Sequence, residues 1–294
     1  MKYLLLVFNI FSVLMGNSQE LIKVLDRKTG LPISYVTVKV LNSDRGIIAS
    51  GEGLFSLEIK QKDSVLFTCA GYEDTICEGK DVGRIVYLNQ KVIELKSVVI
   101  SNKMAKSTII IGNEAKISKG DITWGPYPFK YVASEYHGEF AQKIVIPDSI
   151  RLLKVKKIFV PVKKLGKCFG TLLLKMYYPD TLNHYPGTAI LNRLISVDSD
   201  LLIKKRILSV DISKNEFLFA GCDSFFISIT WPPEVFNDEC KTGLPLSKKA
   251  TSQTFSRSLT VNSFQWYPFG RMKDEKGIEY IIKTFFSIEA EIYK

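Results

Sequence analysis

Histidine is nearly missing from this chain: 294 residues contain two, His137 and His184. Five cysteines are present, at 69, 77, 168, 222 and 240, and no two are spaced as C-x-x-C. These shortages argue against a structural zinc site, which draws its ligands mainly from those two residue types. There is no Gly-x-Ser-x-Gly elbow, no P-loop, no His-Glu-x-x-His pair and no Gly-x-Gly-x-x-Gly fingerprint. No metal, cofactor or catalytic residue is therefore assigned. Beyond the first residues no run of about 18 uninterrupted apolar residues occurs, so no transmembrane helix is expected in the mature chain. Low-complexity tracts are absent as well.

What is present begins with an export leader. Lys2 gives a short positive start, Tyr3 to Met15 is mostly apolar, and Gly16-Asn17-Ser18 supplies the small residues of a cleavage site. Residues 1–18 are read as a signal peptide cut near Ser18–Gln19, with an N-terminal membrane anchor as the alternative. Asn9 interrupts the apolar run, which is short for a span. The expected location is the periplasm, the outer-membrane surface or the extracellular space. Export also makes a disulfide chemically possible. Cys222 with Cys240 is one pairing, and five small buried thiols are the equal alternative. Residues 20–100 carry equal numbers of acids and bases, so the net charge of +10 belongs to the C-terminal part. Dispersed lysines read as a solvated surface, and export argues against nucleic acid as a partner.

Residues 20–92 alternate in character over short runs. Val36, Val38 and Val40 alternate with Thr37 and Lys39; Phe55, Leu57 and Ile59 with Ser56 and Glu58; Val65, Phe67 and Cys69 with Leu66 and Thr68. Leu21 to Leu25 and Ile85 to Leu88 complete a set separated by turn signals, which predicts an antiparallel sandwich. Three stretches resemble the carboxypeptidase regulatory-like domain: Val24-Leu25-Asp26 through Val36-Thr37-Val38, Ala49-Ser50-Gly51-Glu52-Gly53-Leu54-Phe55, and Asp63 through Gly71-Tyr72. The resemblance implies a seven-stranded, prealbumin-like sandwich. It also implies a non-catalytic accessory module of the Gram-negative envelope. Residues 19–100 are assigned to it, with Ile93 to Ile100 as the strand that often follows.

Residues 101–116 read as a linker with one short strand, and residues 117–294 as a second, larger β-sandwich of jelly-roll type. Its strongest predicted strands are Lys156–Val162, Gly170–Tyr178, Arg206–Ile212, Glu216–Ala220, Phe225–Trp231 and Lys283–Tyr293. In the last, Phe286, Ile288, Ala290 and Ile292 share one face. A short helix between Pro232 and Ser247 stays open. The pattern also resembles jelly-roll carbohydrate-binding modules, without a shared motif.

Candidate site residues are mainly aromatic. Trp124-Gly125-Pro126-Tyr127 and Trp266-Tyr267-Pro268 place rings beside prolines, hence at loops or edges. Trp124, Tyr127, Trp266 and Tyr267 are candidate ligand contacts, because such rings offer a flat apolar face for stacking on sugar or protein. His184 and Tyr185, in the Asp180–Gly187 loop, join them. Two carboxylate pairs, Glu135 with Glu139 and Asp198 with Asp200, and the two histidines are the only footholds for catalysis. The expected function is a non-catalytic envelope or cell-surface binding or assembly protein, peripheral to the outer membrane, whose partner is an envelope protein or a glycan. The alternative is a glycan hydrolase or peptidase with an accessory N-terminal sandwich.

Overall fold

The computed structural model describes residues 21–91, 106–112, 122–124, 138–197, 203–204, 206–215, 217–234, 239–247, 252–258, 264–269, 271–273, 279–281, 283–284 and 286–293. The leader, the strand expected at 93–100, Tyr127, Glu135, His137, Asp198 and Asp200 lie outside them. The chain is all-β.

Among the described residues the first sandwich has seven strands: β1 (Ile22–Asp26), β2 (Thr37–Val40), β3 (Gly46–Ile48), β4 (Leu54–Phe55), β5 (Ser64–Thr68), β6 (Thr75–Glu78) and β7 (Ile85–Leu88). They form a three-stranded sheet, β4-β1-β7, and a four-stranded sheet, β3-β2-β5-β6. The inward set of each strand is the apolar set of the sequence pattern: Val24, Val38, Val40, Phe55, Val65, Phe67 and Leu88 are buried in one cluster. One pairing departs from the antiparallel expectation. Strand β7 runs parallel to β1, with Lys23 opposite Ile85 and Asp26 opposite Leu88. It cannot be a hairpin partner of β1, because it arrives from β6 of the opposite sheet through a single 3-10 turn, Gly79–Asp81.

Two turn residues of this sandwich matter. Gly53 has φ +68°, and a Cβ there would lie 2.7 Å from the Val24 carbonyl oxygen, so the bend before β4 admits no side chain. Asp26 accepts the amides of Lys28 (2.7 Å) and Thr29 (2.9 Å) on one oxygen. Its other oxygen accepts from the Tyr72 hydroxyl (3.0 Å) and the Gln90 amide (2.6 Å).

The second sandwich contains β8 (Lys106–Gly112), β9 (Ile122–Trp124), β10 (Gly138–Val145), β11 (Leu152–Pro161), β12 (Lys163–Lys164), β13 (Leu172–Pro179), β14 (Pro186–Ile195) and β15 (Ile203–Lys204). It continues with β16 (Ile207–Asp211), β17 (Leu218–Ala220), β18 (Ser224–Thr230), β19 (Thr242–Leu246), β20 (Thr254–Ser258), β21 (Tyr267–Phe269), β22 (Arg271–Lys273), β23 (Glu279–Ile281) and β24 (Ser287–Tyr293). One layer is β14-β13-β18-β10-β20-β21. The other is β15-β16-β11-β24-β8, with β17 also on β11. Strands β13 and β14, β15 and β16, and β20 and β21 are consecutive neighbours, but β13 with β18, β18 with β10 and β11 with β24 are distant in sequence, so the chain crosses repeatedly between layers. The strand expected within the linker is β8, and it pairs along its whole length with β24 as the edge of the second sandwich. Where a helix was left open before Ser247, the chain forms strand β19, all five residues buried.

The core between these layers holds Phe140, Ile144, Leu153, Val155, Ile158, Leu174, Met176, Phe225, Ile227, Ile229, Phe286, Ile288 and Ala290. The alternation read for β24 is the one observed: Ile288, Ala290 and Ile292 point in, and Ser287, Glu289 and Glu291 are half-exposed. Cys168 and Cys240 form a disulfide with Cα atoms 4.5 Å apart. This corrects the Cys222–Cys240 pairing: Cys222 is free, as are Cys69 and Cys77. The antiparallel contact of 163–170 with 239–243 brings Cys168 to Cys240, with the Lys241 amide donating to the Cys168 carbonyl at 3.0 Å.

Candidate functional site

Strand β18 is buried at every position. In an antiparallel sandwich with a wet outer face only alternate residues are buried, so both faces of this strand are covered. Phe225, Ile227 and Ile229 face the core, while Phe226 lies on the outer face in a second cluster with Ala141, Tyr177 and Phe255. The cover is supplied partly by the first sandwich and partly by Phe264 and Trp266 of the second.

Named contacts tie the two sandwiches together. The Asn192 amide donates to the backbone carbonyls of Tyr35 (3.3 Å) and Ser34 (3.5 Å). The Gly51 amide donates to Glu234 Oε1 at 2.6 Å. The Phe264 amide donates to the Asp44 carbonyl at 2.6 Å, and Gln265 bonds the Asp44 carboxylate. Phe264 is buried with Ile48 and Tyr35 of the first sandwich. Its ring fills the space over Gly46, where a Cβ would sit 2.5 Å from it.

Beneath this junction lies a buried polar cluster. Glu139 of β10 accepts from the Tyr177 hydroxyl (2.6 Å) and Ser228 hydroxyl (2.5 Å) on Oε1. On Oε2 it accepts from Arg257 Nε (2.8 Å) and a terminal guanidinium nitrogen (2.5 Å). Arg257 is also held between rings, 4.5 Å from the centre of Phe264 and 4.6 Å from that of Trp266. Lys175 of β13, 2% exposed, donates to the Thr37 hydroxyl of the first sandwich at 3.3 Å. Burial opposes the charge on Glu139, but Arg257, Lys175 and the two hydroxyls outweigh it and hold the carboxyl down at about 2. Burial pulls Lys175 down to about 8, against the opposing pull of Glu139.

Above the cluster the sandwiches part to leave a cleft of about 320 Å³. The first sandwich lines it with Thr37, Lys39, Leu66, Thr68 and Asp74. From the second come Tyr177, Asp180, Asn183, Tyr185, Arg257, Gln265 and Trp266, among others. The β13–β14 loop is fixed by its own polar residues. Asp180 accepts the amides of Leu182 (2.9 Å) and Asn183 (3.2 Å), and Asn183 accepts that of Tyr185 (2.8 Å). His184 takes φ 58° there, and Tyr185 is turned against Phe255, ring centres 5.2 Å apart.

Of the aromatic candidates, Tyr185 and Trp266 meet at this cleft and in the same apolar cluster. His184 is exposed, in a shallow groove with Lys143, Gln253, Phe255 and Pro268 that shares Tyr185 with the cleft. Tyr267 is on edge strand β21, about half exposed. Trp124 is in a different sheet, opposite Leu244 in β12-β19-β9. Glu139, offered as half of a carboxylate pair, is closed to solvent and bonded to Arg257. Sequence reading missed Tyr177, Lys175, Arg257, Asp180 and the whole contribution of the first sandwich. A usable signal was there: Lys175 and Arg257 are each the one charge of a strand that is otherwise apolar or hydroxylated, and Glu139 of β10 has the complementary sign.

No known protein family matches the chain, and no curated protein does.

Proposed function

We propose that the chain is an exported, non-catalytic binding protein of the bacterial envelope that holds a saccharide in the cleft between its two sandwiches. The observation that carries this reading is the lining of the cleft. Tyr185 and Trp266 supply flat apolar surface, and Asn183, Gln265, Asp180, Thr37, Thr68 and Asp74 supply polar groups around it. A sugar ring has the same mixture, with apolar C–H faces and a rim of hydroxyls. The polar cluster beneath keeps the lining rigid without presenting a nucleophile beside a base.

Export is supported by the leader read at residues 1–18 and by the Cys168–Cys240 disulfide, which suits an oxidising compartment. An accessory, envelope-associated role is supported by the resemblance of residues 20–92 to the carboxypeptidase regulatory-like domain. The test is a panel of envelope and extracellular saccharides applied to the mature protein and to Trp266→Ala and Tyr185→Ala. At least one saccharide should bind, and each variant should bind it roughly tenfold more weakly. Binding that ignores both substitutions would remove the cleft from the account.

A further inference from the structure

The buried cluster carries one positive charge more than it balances. Among the described residues Glu139 is its one carboxylate, while Arg257 and Lys175 each bring a cation. Arg257 takes Glu139 through two hydrogen bonds. Lys175 is left with the Thr37 hydroxyl, and among the described residues no carboxylate lies within ion-pair distance of it. The charged groups acting on it are Glu139, which favours its ammonium, and Arg257, which opposes it. A buried ammonium without a counter-ion of its own is costly, and an anion brought close offsets that cost.

Thr37 is the point at which this charge meets the cleft. Its oxygen accepts from Lys175, which leaves its own proton free to donate outward. Lys39 lies two positions further along the same face of β2, lines the same cleft, and has no carboxylate partner among the described residues. Two carboxylates also line the cleft. Asp180 accepts two backbone amides of its own loop, and burial raises the Asp74 carboxyl above its ordinary value, with Lys91 opposing it. The positive groups without an ion-pair partner among the described residues, Lys175 and Lys39, lie together on the Thr37–Lys39 side.

We infer that the ligand is an acidic saccharide, whose carboxylate is received by the Thr37 hydroxyl and Lys39 over the buried Lys175 while its ring rests on Tyr185 or Trp266. This rests on the saccharide reading of the cleft and adds the charge of the sugar. Thr37 relays the buried charge as a hydrogen-bond donor, and Lys39 contributes directly.

The test uses saccharides in matched pairs: oligouronides and sialylated glycans, each beside its methyl ester, with inorganic phosphate as a separate arm. The mature protein, Lys175→Met and Thr37→Val are compared, with melting curves to confirm folding. Met removes a buried charge at similar volume, so Lys175→Met is expected to fold. The acid form should bind about tenfold or more tightly than its ester, and both variants should reduce that preference to within about twofold. Equal binding of acid and ester overturns this inference and leaves the saccharide reading standing. Binding of no member of the panel overturns both. Phosphate binding as tightly as the acidic sugar overturns the saccharide assignment while leaving an anion site.

Discussion

The Lys175 ammonium, rooted in β13 of the second sandwich, donates across the junction to the Thr37 hydroxyl of the first at 3.3 Å. That contact makes the first sandwich part of the floor of the site rather than a bystander. It also puts a titratable group under both halves, beside Glu139 and Arg257.

Arg257→Met should be strongly destabilising. It strands the Glu139 carboxylate, 0% exposed, among groups placed to receive a charge pair. Breaking one member of a buried pair costs about 3–5 kcal/mol. Urea unfolding should show that loss, and Glu139→Leu combined with Arg257→Met should recover much of it, because the pair is then replaced rather than broken.

Lys175→Met should leave stability at neutral pH unchanged or higher. The folded pKa of Lys175 is about 8 against an ordinary value of 10.5. A base whose pKa is lowered on folding penalises the folded state below the lower value, and the penalty disappears as pH rises from about 8 to 10.5. Wild-type stability relative to Lys175→Met should therefore climb across that window, as read by thermal melts at stepped pH.

At the other end of the scale, Asp26 gives an acid-sensitive turn. Hydrogen bonds from Gln90, from the Thr29 amide and from Tyr72 and Lys28 hold its carboxyl at about 2, below its ordinary 3.8, with burial opposing them. A carboxylate depressed in this way contributes stability above pH 3.8 and loses it as pH falls toward 2. Asp26→Asn should be less stable than wild type at pH 6, and the difference should shrink through that window.

Gly46→Ala should loosen the junction. The new methyl would meet the Phe264 ring at 2.5 Å and the Val38 carbonyl oxygen at 2.8 Å. Amine labelling followed by mass spectrometry should find Lys175 protected in wild type and modified in the variant, because the cover over it has lifted.

Peptide mapping under non-reducing conditions should link Cys168 to Cys240 and leave Cys222 free. The bridge spans 72 positions, so its removal by Cys168→Ser with Cys240→Ser should cost about 4 kcal/mol by the chain-entropy argument.

Much of the fold was legible because a strand with one wet face advertises itself. The β24 run from Phe286 to Ile292 shows its period of two in the sequence, and so do β2 and β5. Strand β18, expected at Phe225–Trp231, is buried on both sides, so its length rather than a period of two marked it as a strand. Strands that were missed hide that period: β10 carries Glu139, Gln142 and Lys143 among its apolar residues, and β19 contains a proline. The site was half legible. Tyr185 and Trp266 are distinctive residues in distinctive loops, and both line the cleft. Thr37, Lys39 and Asp74 belong to another sandwich, and no local pattern reveals which outer faces will meet. Cys168 lies 72 positions before Cys240, whereas Cys222 is nearer in sequence, and proximity along the chain misled the pairing.

The central claim is that one ligand touches both sandwiches at once. Amide hydrogen exchange, with and without the tightest-binding saccharide of the panel, tests it most directly. The account predicts slowed exchange both in residues 37–39 and 66–74 of the first sandwich and in residues 180–188 and 264–266 of the second. Protection confined to one sandwich, or lying away from these segments, would contradict it.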